Sequence, residues 1–163
     1  MSRERLRASL PYAALFVLSS ALTAWWIASA RIPSSADQAV VALMARHILE
    51  GRGHPVFYWG ATYGGTLEPH LLAPLFGLFG ATPEAFRGFY VALWAAFWGG
   101  TVAFTARFFG RSAALVAAAY LAVPPFFLPY KVLTSDGAYA SVALLGLAAL
   151  WCACEADARL EAG

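Results

Sequence analysis

Charged residues are scarce in this chain, and lysine is almost absent. Asp, Glu, Lys and Arg make up 12% of the 163 residues, and Lys131 is the one lysine. Soluble domains have roughly 25% charged residues, so the composition excludes an ordinary soluble protein. The hydrophobic share of 61% and the mean hydropathy of +0.64 indicate a membrane protein instead. The net charge of +2 is too small to indicate a nucleic-acid partner.

Cysteine is also scarce, which removes two further classes of site. The two cysteines, Cys152 and Cys154, are one residue apart near the end of an apolar segment. This spacing indicates neither a disulfide framework nor a metal site, and we expect two small buried apolar side chains. No cluster of histidines and carboxylates has the spacing of metal ligands, so the sequence predicts no strong metal site.

Four apolar runs are long enough to cross a bilayer. They cover residues 10–30, 88–106, 112–130 and 137–154, and a polar tail follows from 155 to 163. The predicted fold class is therefore all-α, a polytopic protein with about four transmembrane helices in a single membrane domain of residues 1–163. Three prolines near the end of the third run should break or kink that helix: Pro124, Pro125 and Pro129.

The N-terminal arginines predict the orientation of the chain. Arg3, Arg5 and Arg7 precede the first apolar run, and the positive-inside rule places such a cluster in the cytoplasm. Ala28-Ser29-Ala30 resembles a signal cleavage site, but the run is longer than the usual core of about 7–15 residues, so we expect it to stay uncleaved. Residues 31–87 then form an extracytoplasmic loop, and the predicted location is the inner (plasma) membrane, multi-pass.

Within that loop, the apolar piece Leu71–Pro83 is too short to span. It has about 13 residues and is interrupted by Pro74, Gly77 and Gly80. A span needs about 20 residues, so an interfacial or re-entrant piece is expected here.

The same loop begins with an amphipathic juxtamembrane helix. Ser35 and Gln38 have the spacing of a capping box, which frees Asp37 from the cap. At about 100° per residue, the apolar stripe lies within roughly 60° of Asp37: Val40, Val41, Met44 and Ile48. Arg46 points away from that stripe, and His47 at its edge is expected to be structural. Asp37 is then either a functional acid on an apolar face or only a partner of the helix dipole.

An aromatic, glycine-rich segment follows that helix: GRGHPVFYWGATYGGTLEPH. Tyr58, Trp59 and Tyr63 lie close together in it, and Gly64 and Gly65 permit close backbone approach. Aromatic rings suit the apolar face of a sugar ring, but Trp and Tyr also collect at the membrane–water interface. The composition leaves both interpretations open.

Residues 36–87 resemble the first outer loop of a bacterial family of membrane glycosyltransferases. This is the dolichyl-phosphate-mannose mannosyltransferase-like, or glycosyltransferase 39-like, branch of the GT-C fold. The similarity lies in the sequence ADQAVVALMARHILEGRGHPVFYWGATYGGTLEPHLLAPLFGLFGATPEAFR, and within it in the Y-x-G-x-L-E segment. Many relatives have Asp-Glu where this chain has Asp37-Gln38. The family normally has more membrane helices, so the resemblance implies the N-terminal part of a longer enzyme.

The resemblance implies a function in the cell envelope, such as protein glycosylation. Such enzymes move a sugar from a polyprenyl-phosphate donor to an acceptor at the outer face of the membrane, usually with inversion. The acceptor, whether lipid, glycan or protein, is not specified, and neither is a cofactor, with a divalent metal ion left open. Asp37 holds the position of the family's general base, which takes the proton of the attacking hydroxyl.

Further polar residues are candidates for substrate binding: Gln38, His54, Tyr58, Tyr63, Glu68, His70 and Asp136. Asp136 is either a second functional acid or a turn residue paired with Lys131. Glu68 either orients Asp37 or the acceptor, or pairs with Arg52. The two histidines either contact phosphate or are simply solvated.

Two other functional classes compete with the transferase. A transporter or channel fragment would explain an acid on an apolar face beside a re-entrant piece. The lack of inverted repeats and of charge within the spans opposes it. A non-catalytic membrane subunit would suit the short chain, but the dense first loop opposes that interpretation.

Overall fold

The computed structural model describes residues 3–28, 35–61, 64–134 and 138–161. Within these ranges the chain forms seven helices: α1 Arg3–Ala28, α2 Ala36–Leu49, α3 Leu67–Phe79, α4 Pro83–Phe109, α5 Arg111–Ala122, α6 Phe127–Leu133 and α7 Tyr139–Glu161. The described part has no β-strand, and its β pairing is an isolated antiparallel bridge between Phe57 and Gly65. The predicted all-α class is confirmed.

Three helices are long and apolar enough to cross a membrane. They are the Ser9–Trp26 part of α1, then α4, then α7. α5 and α6 qualify together as a fourth span, with a bend of 76° between them. The break falls at Pro124 and Pro125, because proline cannot donate the helical hydrogen bond and its ring clashes with the preceding turn. Three to four candidate spans agree with the predicted number, and the third predicted span is two helices.

α4 is the central helix of the bundle, and it contacts α1, α3, α5, α6 and α7. One third of its apolar window is buried (33%), against 11% in α1 and α7. Trp94 and Trp98 point into the core from this helix. α7 comes close at Gly100, where a Cβ atom would lie 2.9 Å from Leu147 Cδ2. A larger residue at this crossing would require the Leu147 side chain to shift.

The helix ends differ from the predicted ones at α4 and α7. α4 begins at Pro83, five residues early, because the Thr82 hydroxyl accepts a hydrogen bond from the Ala85 amide and proline suits the first helical position. α7 continues to Glu161, so most of the predicted polar tail is helical. Arg107 on α4 pairs with Glu155 at 3.0 Å and joins the two helices there.

The cysteines also differ from the prediction. Cys152 is exposed and Cys154 is only partly buried, since both lie on α7 away from the core. The expectation of two buried small side chains was therefore wrong.

α2 and α3 pack side by side with their N-terminal ends at the same pocket, and this pair carries the candidate site. Val41 and Ala45 of α2 pack against Leu72, Ala73 and Phe76 of α3. α3 has 13 residues and would be about 20 Å long, shorter than the roughly 30 Å hydrocarbon layer. α3 also packs on α4, so the pair is fixed to the bundle through this helix.

Candidate functional site

The predicted capping box at the start of α2 is present. Ser35 Oγ accepts from the Gln38 amide at 3.2 Å, and Gln38 Oε1 accepts from the Ser35 amide at 3.3 Å. Gln38 Nε2 also donates to the Leu133 carbonyl of α6 at 3.1 Å. Gln38 therefore fixes the start of α2 against the bundle, and Asp37 is not needed as the cap.

Asp37 is exposed at the head of the buried stripe of α2, as the helical wheel predicted. Val41, Met44 and Ala45 are the buried residues of this helix. The Tyr58 hydroxyl lies 3.2 Å from Asp37 Oδ1 and 3.0 Å from the Asp37 carbonyl oxygen, so it can donate to either. When it donates to Oδ1, the phenol orients the carboxylate, which stays open to solvent.

The glycine-rich segment folds back so that Tyr58 reaches Asp37. The Tyr58 amide donates to the Gly64 carbonyl at 3.2 Å, and Thr66 Oγ1 donates to the Pro55 carbonyl at 2.6 Å. Gly64 has a φ of +90°, and a Cβ atom there would lie 3.4 Å from Tyr58 Cβ. Glycine is favoured at this position because other residues rarely adopt that backbone conformation.

Asp37 opens into a pocket of about 340 Å³, which we call the acid pocket. It lies between α2, the glycine-rich segment and the start of α3, and its walls include Tyr58, Trp59, Gly65 and Glu68. Its volume falls within the range of about 300–1,000 Å³ for small-molecule sites. Asp37 and Glu68 thus line one cavity, and Glu50 does not.

Glu68 lies at the back of the acid pocket and is 2% exposed. Its Oε2 accepts from the Tyr90 hydroxyl at 2.7 Å, and its Oε1 accepts from the Ser141 hydroxyl at 2.7 Å and the Ser141 amide at 3.2 Å. The carboxylate therefore connects α3, α4 and α7. Arg52 pairs with Glu50 at 3.0 Å instead, so the alternative in which Glu68 pairs with Arg52 is wrong.

Glu68 and His70 also differ from the prediction in secondary structure. Both lie in the first turns of α3, which begins at Leu67, and not in a loop. The ring of His70 stacks on that of His54, with centroids 5.5 Å apart, and its Nδ1 is 2.7 Å from the Thr66 carbonyl oxygen. Neither histidine lines the acid pocket. Asp37, Tyr58 and Glu68 therefore line the same pocket, and His54 and His70 lie outside it.

The remaining predicted residues fall into two groups. His47 packs edge-on against Trp59, with centroids 5.1 Å apart, which suits its expected structural role. Arg46 pairs with Glu50 at 2.8 Å on the far side of α2 from the acid pocket. Tyr63 and Asp136 lie outside the described residues.

Among the described residues near the site, Glu50 has a shifted pKa. The hydrogen bond from Arg46 lowers the pKa of Glu50 below its ordinary value, and the charge of nearby Arg52 acts in the same direction. Among the described residues, no group of three or more His, Cys, Asp or Glu side chains is arranged to hold a metal ion.

The sequence interpretation missed the partners of Glu68. Tyr90 and Ser141 are 22 and 73 residues away from it, within apolar helices. No local pattern marks either residue as the partner of an acid. A polar side chain inside a predicted span was the one available signal, because such groups are costly in a membrane unless they are paired.

Comparison with protein-family models, with curated proteins and with solved structures finds no match to this chain. The acid pocket is therefore the feature from which a function can be inferred. Its elements are an exposed carboxylate oriented by a phenol, an aromatic and glycine-lined wall, and a buried carboxylate at the back.

Proposed function

We propose that this chain is a membrane glycosyltransferase, or the N-terminal part of one, that uses a polyprenyl-phosphate sugar as its donor. The observation that carries the proposal is the exposed Asp37 carboxylate, held by the Tyr58 hydroxyl at the mouth of the acid pocket. The resemblance of residues 36–87 to the first outer loop of GT-C glycosyltransferases names the reaction class. The three to four candidate spans give the membrane setting that a lipid-linked donor needs.

In the proposed reaction, Asp37 is the general base. The oxygen of an acceptor hydroxyl attacks the anomeric carbon of the sugar while its proton passes to the Asp37 carboxylate. The bond between that carbon and the phosphate oxygen breaks, and the lipid phosphate leaves with the electron pair. Attack from the face opposite the phosphate inverts the anomeric configuration. Tyr58 keeps the carboxylate in position, which matters because catalysis depends on orientation.

The wall of the acid pocket supports a sugar as the transferred group. The Trp59 side chain is 39% exposed and lines the pocket together with Tyr58. Flat aromatic rings pack on the apolar face of a sugar ring, and the lack of side chains at Gly64 and Gly65 leaves room for it. Glu68 is too deeply buried and too fully hydrogen-bonded to reach an acceptor hydroxyl, so we assign it a positioning role.

The test is the variant Asp37→Asn, made in the full chain. Transfer from a polyprenyl-phosphate sugar in membranes, compared at matched protein levels, should fall about 10²–10⁴-fold, since the amide cannot accept the proton. Glu50→Gln is the matched control, because it removes another exposed carboxylate at the opposite end of α2 and should keep full activity. Full activity in Asp37→Asn would return this residue to the helix-dipole role.

The proposal places the acid pocket on the extracytoplasmic face, with a cytoplasmic N-terminus. A cysteine introduced at Thr62 should then react with a membrane-impermeant thiol reagent in intact cells, and one at Ser112 should not. This prediction is based on the arginine cluster that precedes the first span. Replacing Cys152 and Cys154 with serine first removes the native thiols. Labelling at Ser112 alone would reverse the orientation.

A further inference from the structure

A second pocket, of about 360 Å³, lies on the other side of α2. We call it the arginine pocket, because Arg46 from α2 and Arg87 from α4 both line it. Gln38, next to Asp37 in sequence, lines the arginine pocket, whereas Asp37 lines the acid pocket. α2 therefore separates two cavities of different character.

The arginine pocket carries positive charge. Arg46 is held by Glu50 through its Nε atom at 2.8 Å, which fixes the position of its guanidinium. Arg87 is exposed and has no ion pair within the described part of the chain. Thr82, the N-cap of α4, also lines the pocket, so the positive end of that helix dipole faces it. Glu84, in the same turn, does not line the pocket.

The rest of the pocket is apolar. Ala42 and Leu43 of α2, Phe76 of α3 and Phe86 of α4 make up much of its lining. Leu43 is 56% exposed, so apolar surface continues from the pocket to the outside of the molecule. A ligand that satisfies both halves must have an anionic group and an apolar tail.

The position of the pocket along α4 suits a lipid headgroup. α4 has 27 residues and would be about 40 Å long, which exceeds the roughly 30 Å hydrocarbon layer. If α4 spans the bilayer, its first turns therefore lie at headgroup level, and Arg87 is in the second turn. Basic pockets beside membrane helices bind anionic headgroups in this way.

We propose that the arginine pocket binds an anionic phospholipid of the surrounding bilayer. The phosphate lies between Arg46 and Arg87, and the start of the acyl chains lies over Leu43 and the two phenylalanines. This site does not depend on the chemistry of Asp37. It does share structure with the acid pocket, because Tyr90 lines the arginine pocket and donates to Glu68 of the acid pocket at 2.7 Å.

The test is native mass spectrometry of the full chain in a neutral detergent. Phosphatidylglycerol and phosphatidylcholine with the same acyl chains are titrated separately. Wild-type protein should bind phosphatidylglycerol about 25-fold more tightly, since each of the two arginines contributes about five-fold. Arg87→Gln should lose about five-fold of that preference, which corresponds to about 1 kcal/mol for one arginine at a membrane surface. Arg46→Gln combined with Arg87→Gln should bind the two lipids equally.

Two variants serve as controls. Arg52→Gln removes the same charge from the second partner of Glu50 without touching the pocket, and should keep the preference. Arg87→Lys keeps the charge and should restore most of the binding, and helical circular dichroism checks that each variant is folded. An equal loss in Arg52→Gln, or equal binding of both lipids by wild type, would overturn the site.

The proposed donor lipid gives one more outcome. If a polyprenyl phosphate binds through Arg87 and phosphatidylglycerol cannot displace it, the pocket belongs to the donor and the phospholipid proposal is wrong. Asp37→Asn should bind phosphatidylglycerol like wild type, so a failure of the lipid site and a failure of the transferase proposal are separately visible.

Discussion

The starts of α2 and α3 each place a carboxylate in the acid pocket, but the two carboxylates have opposite surroundings. Asp37 is exposed, and the Tyr58 hydroxyl is its neighbour at 3.2 Å. Glu68 is 2% exposed and accepts from one phenol, one hydroxyl and one amide. An acid whose lone pairs are already used by buried donors cannot take a proton from a substrate without breaking the contacts of three helices. Asp37 has the freedom that a base needs, and Glu68 has the contacts that a scaffold needs.

The burial of Glu68 predicts a large loss of stability in Glu68→Ala. This change leaves the Tyr90 hydroxyl and the Ser141 amide buried without their acceptor, at about 1–3 kcal/mol for each group. We expect the free energy of unfolding to fall by about 3 kcal/mol. Asp37→Asn should lower it by only about 0.3–1 kcal/mol, since it removes a helix-dipole interaction.

Denaturant unfolding of both variants in the same detergent measures this difference. Glu68→Gln is the matched variant, because it keeps the shape and one acceptor oxygen, and it should lie between wild type and Glu68→Ala. Equal stability of Glu68→Ala and Asp37→Asn would show that Glu68 contributes no more to folding than Asp37 does.

Tyr58→Phe tests the other half of the comparison. The change removes the donor that orients Asp37 but keeps the ring that lines the acid pocket. We expect transfer to fall about ten-fold, equivalent to about 1.4 kcal/mol, which is close to the lower end of the roughly 1.5–3 kcal/mol for one hydrogen bond to a charged group. Stability should change by less than the Glu68→Ala loss, because Tyr58 is only half-buried and the phenylalanine ring keeps its packing.

The measurement is the transfer rate over a range of acceptor concentrations. Trp59→Phe is the control, since it alters a neighbouring aromatic wall without touching the Asp37 hydrogen bond. A positioning role predicts that Tyr58→Phe lowers kcat more than it raises KM. A change in KM alone would make Tyr58 a binding residue.

The sequence predicted the surroundings of Asp37 better than those of Glu68. The reason is that the contacts near Asp37 join residues close together in the sequence, whereas those of Glu68 join distant residues. The cap of α2 needs residues three apart, and its buried stripe needs residues three or four apart, so both are visible in a short window. The break between α5 and α6 was likewise predictable, because proline acts on its own turn. Each of these features is a property of one segment.

The burial and the hydrogen-bond partners of Glu68 could not be predicted from a short window of sequence. Its position in a helix depended on where α3 begins, and its partners are contributed by α4 and α7. Pairing with Arg52 was one of the alternatives for Glu68, but Arg52 pairs with Glu50, which is only two residues away along the chain. The exposure of the cysteines was missed for a related reason. Which side of α7 faces the core depends on the crossing at Gly100, and the apolar sequence of α7 does not mark it.

Glu50 gives the smallest expected effect, because it is an exposed acid held by two arginines. The hydrogen bond from Arg46 lowers its pKa below the ordinary value of 4.5, so its contribution to stability is present at neutral pH and is lost as the pH falls through the lowered pKa. Glu50→Gln should therefore be slightly less stable than wild type at pH 7, and the gap should close on acidification below about pH 4. Thermal unfolding of both proteins between pH 7 and pH 3 measures the gap, and added salt should reduce it because the pair is exposed. A gap that stays constant over this range would mean that Glu50 acts through packing, and it would then no longer serve as the inert third acid against which Asp37 and Glu68 are compared.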